Sequence, residues 1–224
     1  MTSALLAWGP EGAASLAPDV DVLVVVDVLS FTTCVSIAAT RDARVRPAPL
    51  DPLGAIGDDL AERDAERPSL SPQSMLRLAP GTEVVLRSVN GAAIAAAAAV
   101  LDVPLVVACL RNASTVAAAL PDFGERAGII AAGERWPDGR LRPAYEDVVG
   151  AGAVLAALGG QQTPQAEAAA IAFRDVRAAL SDGLLASRSG VELAQRGFAE
   201  DVALAAALDA DDVVPVLRDS VFSR

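Results

Sequence analysis

Four polar residues follow short apolar runs that read as strands: Asp27, Asn90, Asn112 and Glu134. In open α/β sheets, ligands sit outside the carboxyl ends of the strands, so these are the positions to search for chemistry. Asp27 closes a strand, where a carboxylate is unfavourable unless it is paired, hydrogen-bonded or bound to a metal. Glu146 and Asp147 open a helical stretch, where their charge is also favoured by the helix dipole. Asp27, Glu134, Glu146 and Asp147 together suit a hard cation such as Mg²⁺ and are expected to converge on one. Asp27, Glu134 and Asp147 are the catalytic candidates.

The turns beside these acids supply Ser30, Thr32, Thr33, Ser88, Ser114 and Thr115. Taken singly, such residues are ordinary helix caps and turn formers. Three turns of this kind on one sheet edge, each opening a helix, argue for a shared anion site. Helix N-termini present free amides and partial positive charge. The substrate-binding candidates are Ser30, Thr32, Thr33, Arg87, Asn90, Gly91, Arg111 and Asn112.

What the chain lacks narrows the mechanism. It has no histidine and no lysine, so all 18 basic residues are arginine. A Ser-His-Asp triad, a Schiff base and a P-loop lysine are excluded, and a zinc site would lack imidazole. Carboxylates, hydroxyls, amides, arginines and a hard metal ion are left. An anionic substrate needs local positive charge, which points to Arg87 and Arg111. Either a metal-bound water or a carboxylate could serve as the nucleophile. Cys34 is a weaker nucleophile candidate, because a buried structural cysteine is the default.

The elements that must position these residues follow a repeated grammar. Residues 22–26 form a continuous apolar run, as in a strand buried on both faces. A polar turn and a helix to residue 39 follow. Strands at 83–86 and 105–108 repeat the pattern, with helices at 92–100 and 116–120. A fourth strand at 127–132 opens into a long polar loop before the helix near Glu146; loops of that length are often functional. The C-terminal third reads as helices at 165–180, 190–195 and 199–208. A last strand at 213–217 contains Pro215, which suggests a sheet edge. Residues 51–80, rich in Pro, Asp and Arg, are placed at the periphery. The expected fold is a single three-layer α/β/α domain over residues 1–224, with a mixed, largely parallel sheet.

The net charge of −11 argues against nucleic acid as a partner, and the chain is 53% hydrophobic. No apolar run reaches membrane-spanning length. The start lacks a basic region and reaches Gly9-Pro10 at once, unlike a secretion signal. Two cysteines make no disulfide framework, so a cytoplasmic protein is expected. A homo-oligomer is compatible with the sequence.

An ordered set of stretches resembles the 2-phosphosulfolactate phosphatase family. They are VVVDVLSFTT (Val24 to Thr33), LSP (Leu70 to Pro72), RSVNGAA (Arg87 to Ala93), CLRNAS (Cys109 to Ser114) and AAGERW (Ala131 to Trp136). EDVVGAG (Glu146 to Gly152), SRSGVELAQRGFAEDVALAAALD (Ser187 to Asp209) and VVPVL (Val213 to Leu217) complete the set. The resemblance implies an α/β/α fold and Mg²⁺-dependent release of phosphate from 2-phospho-3-sulfolactate, a step of coenzyme M synthesis. Carried over, it points to Asp27, Asn90, Gly91, Asn112, Glu134, Glu146 and Asp147. Two positions depart from the common pattern. Ser30 stands where many members have arginine, and Arg87, Ser88 and Val89 stand where threonine is frequent. These departures bear on the substrate more than on the reaction; a phosphatase for a different small phosphorylated acid, or a non-catalytic anion-binding protein, are the alternatives.

Overall fold

The run Val22–Val26 is the axis of the molecule. In the structure, a computed structural model describing residues 2–50 and 63–224, all five of its side chains are buried. Successive residues of a strand face opposite ways. Val22, Val24 and Val26 therefore enter one core, and Leu23 and Val25 the other. A strand that must be apolar on both faces shows no alternation, which is why the sequence reads as an unbroken run.

The strands are β1 (Ser3–Trp8), β2 (Val22–Val26), β3 (Arg44–Pro49), β4 (Glu83–Ser88), β5 (Leu105–Ala108), β6 (Arg126–Ala131), β7 (Glu134–Arg135), β8 (Leu141–Arg142), β9 (Val216–Arg218) and β10 (Val221–Ser223). Among the described residues, eight form one sheet in the order β1-β6-β2-β5-β9-β10-β3-β4, while β7 and β8 make a separate hairpin. The block β1-β6-β2-β5 is parallel, as is the pair β3-β4. Antiparallel β9 and β10 join the two.

The helices are α1 (Gly9–Leu16), α2 (Phe31–Thr40), α3 (Pro72–Met75), α4 (Gly91–Ala98), α5 (Ala113–Ala119), α6 (Tyr145–Leu158), α7 (Pro164–Val176), α8 (Leu180–Ala186), α9 (Arg188–Gln195) and α10 (Ala199–Ala205). One core packs β2 against Val116 of α5, Leu155 of α6, Phe173 of α7 and Val202 of α10. The other packs it against Ala13 of α1, Ile37 of α2 and Ile94 of α4. The result is the expected three-layer α/β/α arrangement around a mixed, mostly parallel sheet. Among the described residues no helix is long and apolar enough to cross a membrane.

Three expectations need correcting. Pro215 does not mark an edge: it precedes β9, which lies inside the sheet between β5 and β10, and its carbonyl accepts the Val107 N–H. Part of the supposed periphery is core, because Leu70, Met75 and Leu78 pack against α2 and β3 residues; residues 51–62 of that segment lie outside the described residues. The long loop after β6 contains the β7-β8 hairpin. The strand–turn–helix units also do not all run alike. Through the antiparallel β9-β10 link, β4 opposes β2 in the ladder, yet its following turn still meets Asp27.

Candidate active site

Asp27 is 5% exposed and sits at the end of β2. Two helix starts converge on it. Phe31 N–H, the first amide of α2, donates to Oδ1 at 3.3 Å, and Gly91 N–H, the first amide of α4, donates to Oδ2 at 2.8 Å. First-turn amides have no intrahelical acceptor, so a carboxylate satisfies them and meets the positive end of each dipole. Only glycine permits the α4 approach. A Cβ on Gly91 would lie 2.5 Å from Asp27 Oδ2 and 2.6 Å from Phe31 Cδ1. Burial nevertheless dominates and raises the Asp27 carboxyl to about 6, with the two amides and Arg63 opposing it.

Glu134, on β7, accepts a hydrogen bond from Asn90 Nδ2 at Oε2, 3.0 Å away. Burial, the Asp27 charge and the Glu146 charge push it to about 7, against the Asn90 bond and Arg142. The other end of the same amide, Asn90 Oδ1, is buried with no hydrogen-bond partner. Glu146 is 2% exposed, and among the described residues no group hydrogen-bonds to its carboxylate. Asp147 differs. Its Oδ1 accepts Val28 N–H and its Oδ2 accepts Gly133 N–H, both at 2.8 Å. Gly133 adopts φ +69°, which glycine takes without strain. Asp147 thus ties the turn after β2 to the turn after β6. Burial, then Asp27 and Glu146, raise its carboxyl well above the ordinary range.

The structure therefore brings Asp27, Asn90, Gly91, Glu134, Glu146 and Asp147 into one electrostatically linked centre. It commits the other candidates elsewhere. The Thr32 hydroxyl donates to Asp27 O and accepts Asp27 N–H, and the Thr33 hydroxyl donates to Val28 O, so both brace the turn. Arg111 forms a two-pronged pair with Asp211 at 2.8 and 2.7 Å and donates to Leu204 O. Asn112 accepts Cys109 N–H and donates to Val213 O, locking its own turn to the tail. Arg87 is exposed on the sheet-edge strand β4, with its side chain on the opposite face from buried Leu86 and Ser88. Cys34 is fully buried and burial holds its thiol well above the usual range, which leaves little thiolate.

Two groups escaped the sequence reading. Arg63, 8% exposed, donates from Nη2 to Ser30 Oγ at 3.1 Å and from Nη1 to Leu70 O. Its Nη1 lies 3.6 Å from Asp201 Oδ2, while Asp201 Oδ1 accepts Ser71 Oγ–H and Gln73 N–H. A guanidinium therefore stands beside Ser30 although position 30 itself carries no charge. Its only sequence signal is an arginine shortly before the LSP stretch. The second group is the β7-β8 hairpin with Arg142, whose guanidinium lies over the partly exposed Trp136 ring; the length of the loop was the signal, but not which residue it would set beside Glu134.

Among the described residues no three acidic or cysteine side chains make a ready-built metal cluster. Mg²⁺ needs fewer, since it keeps waters and is held by one or two carboxylates plus substrate oxygens. Partnerless Asn90 Oδ1, the buried Glu146 carboxylate, which accepts no hydrogen bond from the described residues, and Asp27 offer all-oxygen donors of the kind it takes. Asp147 fits less well: amides engage both of its oxygens at 2.8 Å, whereas the Phe31 amide lies 3.3 Å from Asp27 Oδ1 and leaves that oxygen less committed.

Fold and centre define an α/β/α protein with a buried acid–amide site where two helix starts meet a strand end. The chain belongs to the 2-phosphosulpholactate phosphatase family, whose model matches residues 61–220. It is 34% identical over 114 residues to the 2-phosphosulfolactate phosphatase of Methanothermobacter thermautotrophicus, across 51% of this chain and 48% of that one. The match thus spans about half the length of that curated relative. Glu134, Glu146 and Asp147 lie within the family match; Asp27 precedes it and rests on the geometry.

Proposed function

We propose that this protein is a phosphatase that hydrolyses the phosphate ester of a small anionic acid, of the 2-phosphosulfolactate kind, with Mg²⁺ as cofactor. The observation that carries the reading is the pairing of Asp27 and Glu134. Both are carboxylates held in fixed hydrogen bonds, yet both are destabilised as anions, Asp27 by burial and the Glu146 charge, Glu134 by burial and the Asp27 and Glu146 charges. Arg63 and Arg142 offset these effects only in part, and among the described residues neither acid forms an ion pair.

In hydrolysis, water adds to phosphorus, the ester C–O–P bridge breaks at P–O, and the leaving alkoxide takes a proton. Glu134 titrates near neutrality, so it can give that proton to the alkoxide or take one from the incoming water. Asn90 fixes its Oε2 for the purpose. Asp27, Glu146 and Asn90 Oδ1 would hold Mg²⁺, which when bound neutralises charge on the phosphate. Asp147 holds the β2 and β6 turns at their working separation. Arg63 places positive charge beside Ser30, and the buried setting limits bulk water.

The test is phosphate release from a panel of phosphate esters, including 2-phospho-3-sulfolactate, with and without Mg²⁺. Release should require the cation and should fall about 10²–10³-fold in Asp27→Asn. Full activity in excess chelator would reject the metal. Stabilisation by phosphate without turnover of any ester would make the chain an anion-binding protein instead.

A further inference from the structure

A phosphorylated acid carries a second anionic group, and the arginines expected to hold it are not available. Arg111 is committed to Asp211 and Leu204, and Arg87 faces outward. Arg142 stands differently. It lies directly opposite Glu134 in the β7-β8 ladder. Side chains of directly opposed residues project from the same face of a hairpin, so Arg142 shares the face that carries Glu134 toward Asn90. Its charge bears on Glu134, opposing the burial that raises that carboxyl.

Its Nε–H is buried and has no hydrogen-bond partner, and among the described residues it forms no ion pair. An unpaired buried donor is unfavourable, more so when charged, so a guanidinium of this kind is poised for an acceptor that arrives. The guanidinium also lies 5.7 Å above the Trp136 ring, and Arg188 lies 5.5 Å from the same ring. Stacking on an aromatic face restrains a planar cation without using its N–H donors. The hairpin thus holds an oriented guanidinium with an unsatisfied Nε–H beside the proposed proton-transfer group.

We propose that Arg142, held by Trp136, is the subsite for the second acid group of the substrate, a carboxylate or sulfonate, and so selects phosphorylated acids over simple phosphate esters. This rests on the phosphatase reading above for its kinetic form but not for its binding form. Arg142→Ala should lower kcat/KM for 2-phospho-3-sulfolactate about 10–100-fold, mainly through KM, and Arg142→Lys should recover only part, because an ammonium lacks the planar fork. Turnover of p-nitrophenyl phosphate, which has no second acid group, should fall by less, and through a shift of its pH profile, because Arg142 also bears on Glu134.

Binding is read separately by thermal shift. Inorganic phosphate should stabilise parent and Arg142→Ala alike, whereas 3-sulfolactate should stabilise the parent alone. That comparison stands even if no ester is turned over, in which case the phosphatase reading falls and the subsite does not. Equal stabilisation of both proteins by 3-sulfolactate, no stabilisation of the parent by it, or equal losses on both esters would each overturn the proposal.

Discussion

Replacing Glu134 by glutamine should stabilise the fold while abolishing turnover, and the size of the gain should depend on pH. Glu134 is raised to about 7 from an ordinary 4.5, first by burial and then by Asp27 and Glu146. At 1.36 kcal/mol per pH unit the ionised form is disfavoured by about 3 kcal/mol in the folded state. Water reaches part of this carboxylate, so about 1–2 kcal/mol is the working figure. The sign follows from linkage. Below 4.5 the group is protonated folded and unfolded, and there is no penalty. Between 4.5 and about 7 the folded state holds its proton longer, so stability falls as pH rises; above 7 the full penalty is present. Glutamine keeps the shape and still accepts from Asn90 Nδ2. In EDTA at pH 8, Glu134→Gln should therefore melt about 2–8 °C above the parent, with most of the difference gone at pH 5. Phosphate release should drop about 10²–10⁴-fold. A lower melting point at pH 8, or the same difference at both pH values, would show that Glu134 is not the strained acid described here.

Gly91→Ala should destabilise by about 1–3 kcal/mol in chemical denaturation, because its Cβ would press to 2.5 Å from Asp27 Oδ2, and should slow turnover by displacing that carboxylate. Arg111→Ala should cost about 3–5 kcal/mol by leaving Asp211 buried and unpaired, while KM in the folded fraction stays at the parental value; a raised KM would return Arg111 to the substrate. Cys34 and Cys109 are both buried, and burial lifts the latter to about 11. Iodoacetamide at pH 7.5 should label neither thiol in the native protein and leave activity intact; inactivation that tracks Cys34 labelling would promote the cysteine.

What the sequence made legible was local. The run 22–26 announces its strand because five neighbouring side chains share one fate, and Asp27 stands out because a carboxylate closes that run. Of the β9-β10 insertion only a strand at 213–217 was legible; β10 and the place of the pair inside the sheet were not, since their outer partners lie more than a hundred residues away and leave no periodic trace. The arginines mark the same boundary within the site. Arg111, Arg63 and Arg142 are one residue type in three polar contexts, and what separates them is the partner each meets. Arg111 meets the Asp211 carboxylate and is saturated. Arg63 meets a hydroxyl, a carbonyl and the Asp201 carboxylate at 3.6 Å. Arg142 meets an aromatic ring and keeps an unsatisfied donor. A chain with net charge −11 can receive an anion only where its few cations are left incompletely neutralised. That condition depends on what the fold denies each arginine, so it becomes visible only when the partners are in place.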